Sequence, residues 1–193
     1  MSTTDINTTK AVIGPLRLCF VHLFKPHAFE GQTEEKYSCM ILIPKDDKKT
    51  LSQIKRIQEA AITVGVKTKW GGKKPAQLKT TLRDGDTEPP TDGEEFEGHY
   101  FMNLSCKTAP GIVDGNRQKI LDSTEVYSGC YCNVSVNAFP YKAMGNVGVS
   151  VGLNHVQKVR DGDPLGGRGR AEVDFDAIDD GSDEGAYDDL LGL

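Results

Sequence analysis

Alternation of apolar and polar residues predicts that β-strands dominate this chain. Residues 99–107, 127–139 and 147–159 carry an apolar residue at almost every second position. Because successive side chains of a strand point to opposite faces, each segment predicts a strand with one buried face. Residues 11–23 and 36–43 predict two earlier strands, the first interrupted by Gly14-Pro15 and the second closed by Pro44. The pattern therefore predicts five strands.

One segment between the second and third predicted strands has helical spacing instead. Asp46-Asp47 can cap its start, Gly65 can end it, and its apolar stripe comprises Leu51, Ile54, Ile57, Ala61 and Val64. Five strands and one main helix predict a mostly β protein with a small barrel, for which the OB-fold is the best-known five-stranded solution. The usual OB-fold helix follows the third strand, whereas this one follows the second.

The outward faces of the last three predicted strands carry the candidate chemistry. The inward faces are apolar, with Tyr100, Met102, Leu104 and Cys106 on the third strand, Cys130, Cys132, Val134, Val136 and Ala138 on the fourth, and Val147, Val149, Val151 and Leu153 on the fifth. The outward faces are polar or aromatic, with His99, Phe101, Asn103, Ser105 and Lys107, then Tyr127, Tyr131, Asn133, Ser135, Asn137 and Phe139, then Gly148, Ser150, Gly152 and Asn154.

Charge divides the chain into a basic body and an acidic tail. The chain has 193 residues and a net charge of −5. Beyond Arg170, the last basic residue, lie nine acidic residues, which leaves 23 basic and 19 acidic residues before it. This asymmetry is typical of a polyanion-binding body with an acidic tail. We therefore expect a disordered lead-in at 1–10, an OB-fold domain at 11–165, and a Gly/Arg hinge with a disordered acidic tail at 166–193.

The cysteines and the hydropathy indicate a cytoplasmic protein. Five cysteines and an N-terminus without an apolar signal segment predict free thiols in a reducing compartment. No stretch approaches the length of apolar sequence that crosses a bilayer, so we expect no membrane association. Cys130-x-Cys132 could be half of a metal site, but two thiols on the apolar face of a strand favour a core position. We expect no metal and no cofactor.

Two places combine cations with aromatic rings, which single-stranded nucleic acids require for phosphate contacts and base stacking. The first is a loop with Lys67, Lys69, Lys73 and Lys74 around Trp70, the only tryptophan. The alternative for Trp70 is a place in the core. The second is the outward face with Phe101, Tyr131 and Lys107, unless the helix or the N-terminal segment covers it. Lys119, Tyr141 and Lys142 are weaker candidates.

Two other function classes stay open at this point. The acidic residues Asp84, Asp86, Glu94, Glu95 and Glu97 could hold Mg²⁺ in a metal-dependent nuclease, although they lie in a Gly/Pro-rich charged stretch. No phosphate-binding Gly-rich loop, serine nucleophile motif or zinc-protease motif is present, so catalysis is not expected. The second alternative is a protein-interaction scaffold that acts through its tail.

Several motifs resemble one phage-encoded family. They are Lys-Trp-Gly-Gly at 69–72, Leu-Arg-Asp-Gly-Asp at 82–86, Gly-His-Tyr-Phe at 98–101, Val-Tyr-Ser-Gly-Cys at 126–130 and Gly-Leu-Asn at 152–154. In order and spacing, over about residues 12–167, they resemble phage single-stranded DNA-binding proteins with an OB-fold, formerly a domain of unknown function. The resemblance implies an elaborated barrel and a role in DNA replication or recombination during infection.

The acidic tail is the second feature of that family. Its members commonly end in an aromatic residue, whereas this chain ends in Leu193 and has its last aromatic residue at Tyr187. We expect the tail to occupy the basic groove when DNA is absent, and to bind replication or recombination proteins when DNA releases it. The residues expected to do this are Asp179, Asp180, Asp183, Glu184, Tyr187, Asp188, Asp189, Leu190, Leu191 and Leu193. Strand edges could also pair in a homodimer.

Overall fold

The computed structural model describes residues 8–166 and contains all five predicted strands. The elements are β1 (Lys10–His27), β2 (Lys36–Pro44), α1 (Lys48–Thr68), β3 (Arg83–Asp84), a 3₁₀ helix (Glu94–Phe96), β4 (His99–Cys106), β5 (Gly111–Val113), β6 (Tyr131–Ala143) and β7 (Asn146–Arg160). Two short strands, β3 and β5, were not predicted. The fourth predicted strand begins at Tyr131 rather than at residue 127, so Tyr127 lies in the preceding turn.

The long strands form the barrel of an elaborated OB-fold. The order of the sheet is β3-β4-β2-β1-β6-β7-β5, and only the pairing of β5 with β7 is parallel. β1 pairs with β2 on one side and β6 on the other, and irregularities in both registers bend it around the core. The helix follows β2, as the sequence pattern predicts. No helix among residues 8–166 is long and apolar enough to cross a bilayer.

Residues 79–84 close the barrel between β4 and β7. The backbone N–H of Lys79 donates to the carbonyl oxygen of Val147 at 3.0 Å, and the N–H of Val149 donates to the carbonyl of Lys79 at 2.9 Å. Four residues later, Arg83 pairs with Phe101 of β4. This connecting segment therefore pairs with both β4 and β7, which contact each other although they are not neighbours in the order of the sheet.

The interior of the barrel contains the apolar faces predicted from alternation. Its buried residues include Leu16, Leu18, Ile41, Ile43, Met102, Leu104, Cys132, Val134, Val136, Val149 and Val151. A second, smaller cluster lies outside the barrel on β1, β2 and β4. It consists of Cys19, Met40, Leu42, Phe96 and Phe101, with Leu165 packed against it. The second cluster was not predicted, because it depends on segments that fold back over the sheet.

Helix α1 begins as predicted but ends later. The carboxylate of Asp47 accepts a hydrogen bond from the Thr50 N–H at 3.0 Å, which caps the helix. The prediction that Gly65 ends the helix is wrong, since α1 continues to Thr68. Gly65 is buried because the ring of Trp70 packs against its backbone. Ile54, Ile57 and Ala61 form the buried stripe, whereas Val64 is 41% exposed and does not belong to it.

An ion-pair cluster attaches the β3 turn to the end of β2. The Lys45 ammonium lies 2.7 Å from Asp84 Oδ1 and 2.6 Å from Asp86 Oδ2. The backbone N–H of Asp86 also donates to Asp84 Oδ1 at 2.9 Å, as expected for a turn formed by Asp and Gly. The hydrogen bonds from Lys45 lower the pKa of both carboxyl groups and raise the pKa of the lysine.

Replacement of Gly65 by alanine tests the packing of Trp70. A Cβ at position 65 would lie 2.7 Å from two carbon atoms of the Trp70 ring and 2.8 Å from Pro140 Cβ. Alanine normally stabilises a helix relative to glycine by up to about 1 kcal/mol. Here we expect Gly65→Ala to lose about 1–3 kcal/mol of unfolding free energy, because overpacking outweighs helix propensity. Urea unfolding measures this difference.

Gly115→Ala is the matched control for that experiment. A Cβ at Gly115 would meet no heavy atom within 4 Å. We expect this variant to be as stable as the wild type or slightly more stable, because alanine restricts the unfolded chain. Equal stability of the Gly65 and Gly115 variants would contradict the packing of Trp70 on the helix.

Lys45→Met tests the ion-pair cluster through pH. A carboxyl group whose pKa is lowered in the folded state stabilises the protein above the ordinary pKa of 3.8 and ceases to do so as the pH falls through the folded value. We therefore expect Lys45→Met to be less stable than the wild type at neutral pH, with a difference that shrinks in acid. Lys49→Met removes an exposed lysine without an ion pair to residues 8–166, and its difference should not depend on pH. A Lys45→Met difference that stays constant in acid would refute the assignment.

Candidate nucleic-acid interface

Trp70 connects the lysine-rich loop to the barrel. Its side chain is half-buried against the main core, and its Nε1–H donates to the carbonyl oxygen of Tyr141 at 3.4 Å. Of the two alternatives for Trp70, the structure shows the packed one. Gly71 and Gly72 follow with φ values of 64° and 82°, which glycine adopts without strain. The ring therefore fixes the position of the loop on the end of β6.

Six exposed lysines surround this contact. Lys79 enters the group because it pairs with β7, and Lys142 because it follows Tyr141. None of the six forms an ion pair with another residue between 8 and 166. We call this surface the basic end of the barrel: Lys67, Lys69, Lys73, Lys74, Lys79 and Lys142. Its exposed charges are available to an anionic ligand.

Phe101 does not present an exposed ring. Its side chain is 5% exposed and meets Phe96 edge to face, with the ring centroids 5.8 Å apart. The prediction of a stacking surface at Phe101 is therefore wrong. The alternative of a covered ring is correct, but the cover is the 3₁₀ helix Glu94–Phe96 rather than α1 or the N-terminal segment.

Tyr131 is partly covered by the segment that follows β7. The Arg160 guanidinium carbon lies 3.5 Å from the centroid of its ring. Arg17, the β1 partner of Tyr131, donates from Nη2 to the carbonyl of Asp163 at 2.6 Å. The Leu165 N–H donates to the Ser128 carbonyl at 2.8 Å. These bonds hold residues 161–165 beside Tyr131.

Lys107 lies apart from the basic end. It follows the last residue of β4, and its ammonium lies 2.7 Å from Glu34 in the β1–β2 loop. Glu34 also pairs with Lys36 at 3.2 Å, and hydrogen bonds from the two lysines, chiefly Lys107, lower the pKa of the glutamate. Lys119, a weaker candidate, bridges to Val113 of β5. The structure thus separates both lysines from the predicted loop.

The β6–β7 hairpin contains surface residues that the sequence analysis did not select. Phe139 is 42% exposed on the outward face of β6, two residues before Tyr141. The whole stretch 126–160 contains no aspartate or glutamate, although the chain has 28 of them. This lack of acidic residues is visible in the sequence and favours the binding of an anion. The surroundings of Phe139 could not be predicted from the sequence, since they depend on which β7 residues lie opposite.

The acidic residues and cysteines do not form a metal cluster in the part of the chain that the structure describes. No three His, Cys, Asp or Glu side chains within residues 8–166 are placed to share an ion. Asp84 and Asp86 bind Lys45 instead. Cys130 and Cys132 are buried, with their sulfur atoms 3.6 Å apart, and this hydrogen bond together with burial raises the pKa of Cys132. The predicted tail residues between 179 and 193 lie outside the described residues.

Comparisons with known proteins agree with this architecture. A sequence model of the Enterobacter phage Enc34 ssDNA-binding protein matches residues 9–187. Putative protein p50 of Acyrthosiphon pisum secondary endosymbiont phage 1 is 33% identical over 180 residues, which are 88% of this chain and 94% of that protein.

Solved structures show the same fold. The single-stranded DNA-binding protein of bacteriophage Enc34 in complex with ssDNA superposes with a TM-score of 0.69 at 27% identity, over 82% of this chain and 90% of that one. Gp2.5 of bacteriophage T7, a single-stranded DNA-binding protein, shares the fold with a TM-score of 0.54 at 18% identity, over 82% and 96% of the two chains. The chain belongs to the family of the phage Enc34 single-stranded DNA-binding protein.

Proposed function

We propose that this protein binds single-stranded DNA without sequence preference during phage DNA replication or recombination, in the host cytoplasm. The observation that carries the proposal is the basic end, where six exposed lysines surround one end of an OB-fold barrel. The Enc34 relative, solved in complex with ssDNA, supports the same ligand.

Phosphate contacts explain why such binding does not depend on sequence. Lysines that neutralise phosphates release condensed counterions, so affinity falls as salt rises. The loop holding Lys67, Lys69, Lys73 and Lys74 is anchored by Trp70, and Lys79 is fixed by its backbone pairing with β7. The backbone therefore places the charges before DNA arrives, while each lysine side chain remains free to follow an irregular strand.

The acidic tail supplies a competitor within the same molecule. Its nine carboxylates outnumber the excess of basic over acidic residues in the body. The hydrogen bonds of residues 161–165 fix where the segment leading to the tail leaves the barrel. We propose that the tail residues, Asp179 to Leu193, compete with DNA for the basic end and bind replication or recombination proteins when DNA displaces them. Like charges on tail and DNA make the two mutually exclusive there.

The proposal includes no catalytic step. A metal-dependent nuclease would need the carboxylates of the β3 turn, and Asp84 and Asp86 are already neutralised by Lys45. A scaffold that acts only through its tail would not require a cluster of unpaired lysines on the barrel. Both alternatives remain as outcomes of the following experiment.

A salt titration with matched lysine variants tests the interface. The wild type should bind single strands with an affinity that falls steeply with salt, and bind double strands less tightly. For single strands, log K falls by about 0.7 per phosphate contact for each unit of log salt. Lys73→Ala/Lys74→Ala should therefore flatten the slope by about 1.4 if both lysines contact phosphates.

Lys48→Ala/Lys49→Ala is the control with the same change in charge. These exposed lysines begin α1, about 30 Å along the helix from the loop. Their removal should leave the slope nearly unchanged. Equal slopes in both double variants would overturn the assignment of the basic end. A wild type without a salt slope would favour the scaffold, and cleavage of labelled strands with Mg²⁺ would favour the nuclease.

Removal of residues 171–193 tests the competition by the tail. We expect the truncated protein to bind single strands more tightly than the full chain, with the largest gain at low salt, because screening weakens the attraction of the tail. A full-length variant with the nine acids replaced by Asn and Gln separates charge from chain length and should behave like the truncation. Unchanged or weaker binding by both variants would refute competition.

A further inference from the structure

Two aromatic rings on the outward face of β6 lie over glycines of β7. Tyr141 pairs directly with Gly148, and a Cβ at Gly148 would lie 2.9 Å from the tyrosine hydroxyl. Phe139 pairs with Ser150, and its ring lies 3.4 Å from the position of a Cβ at Gly152. Because glycine has no side chain, each ring can lie against the strand and leave its other face outward.

The surroundings of these rings favour an anion. Lys142 follows Tyr141 directly, and residues 126–160 contain no carboxylate. Lys158 and Arg160 lie at the other end of the hairpin, where Lys158 pairs with Asp161 and Arg160 lies against Tyr131. Beside Tyr141 runs a groove of about 330 Å³, whose lining includes Lys79, Thr80, Thr81 and Asn103. The one acidic side chain in that lining, Glu88, is paired with Arg83 at 3.1 Å. Phosphates can therefore approach the rings from the basic end.

The other aromatic candidates are engaged elsewhere. Phe101 is buried under Phe96, and Trp70 packs against the core. Tyr131 carries Arg160 against its ring. Phe29 is 39% exposed, but its loop contains Glu30 and Glu35, whose negative charges repel phosphates. Phe20 is 44% exposed, but it lies on β1, ten residues from Lys10, which pairs with Asn137 near Phe139. Phe139 and Tyr141 are thus the outward rings that lie beside the lysines of the basic end.

We infer that Phe139 and Tyr141 form the surface on which unpaired bases stack, with Lys79 and Lys142 contacting the adjoining phosphates. This inference rests on the proposed function and names the contact residues within it. Residues two apart on a strand are separated by roughly 7 Å. That distance is too long for two rings to share one base, so each ring receives its own. Stacking accepts any base, because every base has a π-face.

Conservative variants separate the stacking of bases on the two rings from the packing of the same side chains against Gly148 and Gly152. Phe139→Leu and Tyr141→Leu keep an apolar side chain over β7 but remove the aromatic face. We expect each to weaken binding of an oligothymidine strand about 5- to 150-fold, the loss of one stacked base. The plot of log K against log salt should shift down in parallel, since no charge is removed. Thermal unfolding should show that both variants remain folded.

Three further variants complete the test. Phe139→Trp should bind as tightly as the wild type or more tightly, and Tyr141→Phe should bind like the wild type. Phe29→Leu removes a similarly exposed ring and should leave affinity unchanged. The inference is overturned if Phe139→Leu and Tyr141→Leu bind like the wild type, or if they change the salt slope instead of the affinity. In that case the proposed function would still stand if the wild type bound single strands with an affinity that falls steeply with salt.

Discussion

The two backbone hydrogen bonds of Lys79 with β7 are the constraint on which the rest of this structure depends. They close the barrel between β4 and β7, and they fix the position of Lys79, one of the six lysines of the basic end. The same contact requires glycine at position 148, because any side chain there would collide with the Lys79 carbonyl. Tyr141 then packs over that glycine. Barrel closure, the placement of Lys79 and the packing of Tyr141 over β7 therefore meet at one short pairing.

Opposite charges are separated across the surface rather than mixed. Several cations elsewhere on the barrel are paired: Lys45 binds the β3 turn, Arg83 binds Glu88, and Lys107 binds Glu34. Around Trp70 and along the β6–β7 hairpin, carboxylates are missing from the sequence itself. The net charge of −5 does not reveal this local excess of positive charge. The basic end thus offers an anion a local surface whose six lysines form no ion pair with any other residue between 8 and 166.

Alternation predicted the strands because burial on one face is a local property of the sequence. The same pattern could assign Phe101 to an outward face but could not show that Phe96 covers it, since the cover comes from a stretch that looked like solvated charge. Gly65 was misread for a similar reason: its role is to admit a ring from beyond the helix. The basic loop was predicted from its residues alone. Phe139 was missed because its environment depends on the register with β7.

The pairing of β1 with both β2 and β6 affects how the protein folds while the ribosome synthesises it. Thr9, at the start of the chain, bonds to Asn137, which is 128 residues later. Contacts of such long sequence separation form slowly, and none of them can form before both partners have been synthesised. β1 can pair with β2 early, but its other edge stays unpaired until β6 has been synthesised. The hydrogen bonds of Lys79 form later still, because they require Val147 and Val149 of β7. An incomplete chain has the lysines but not the barrel that arranges them.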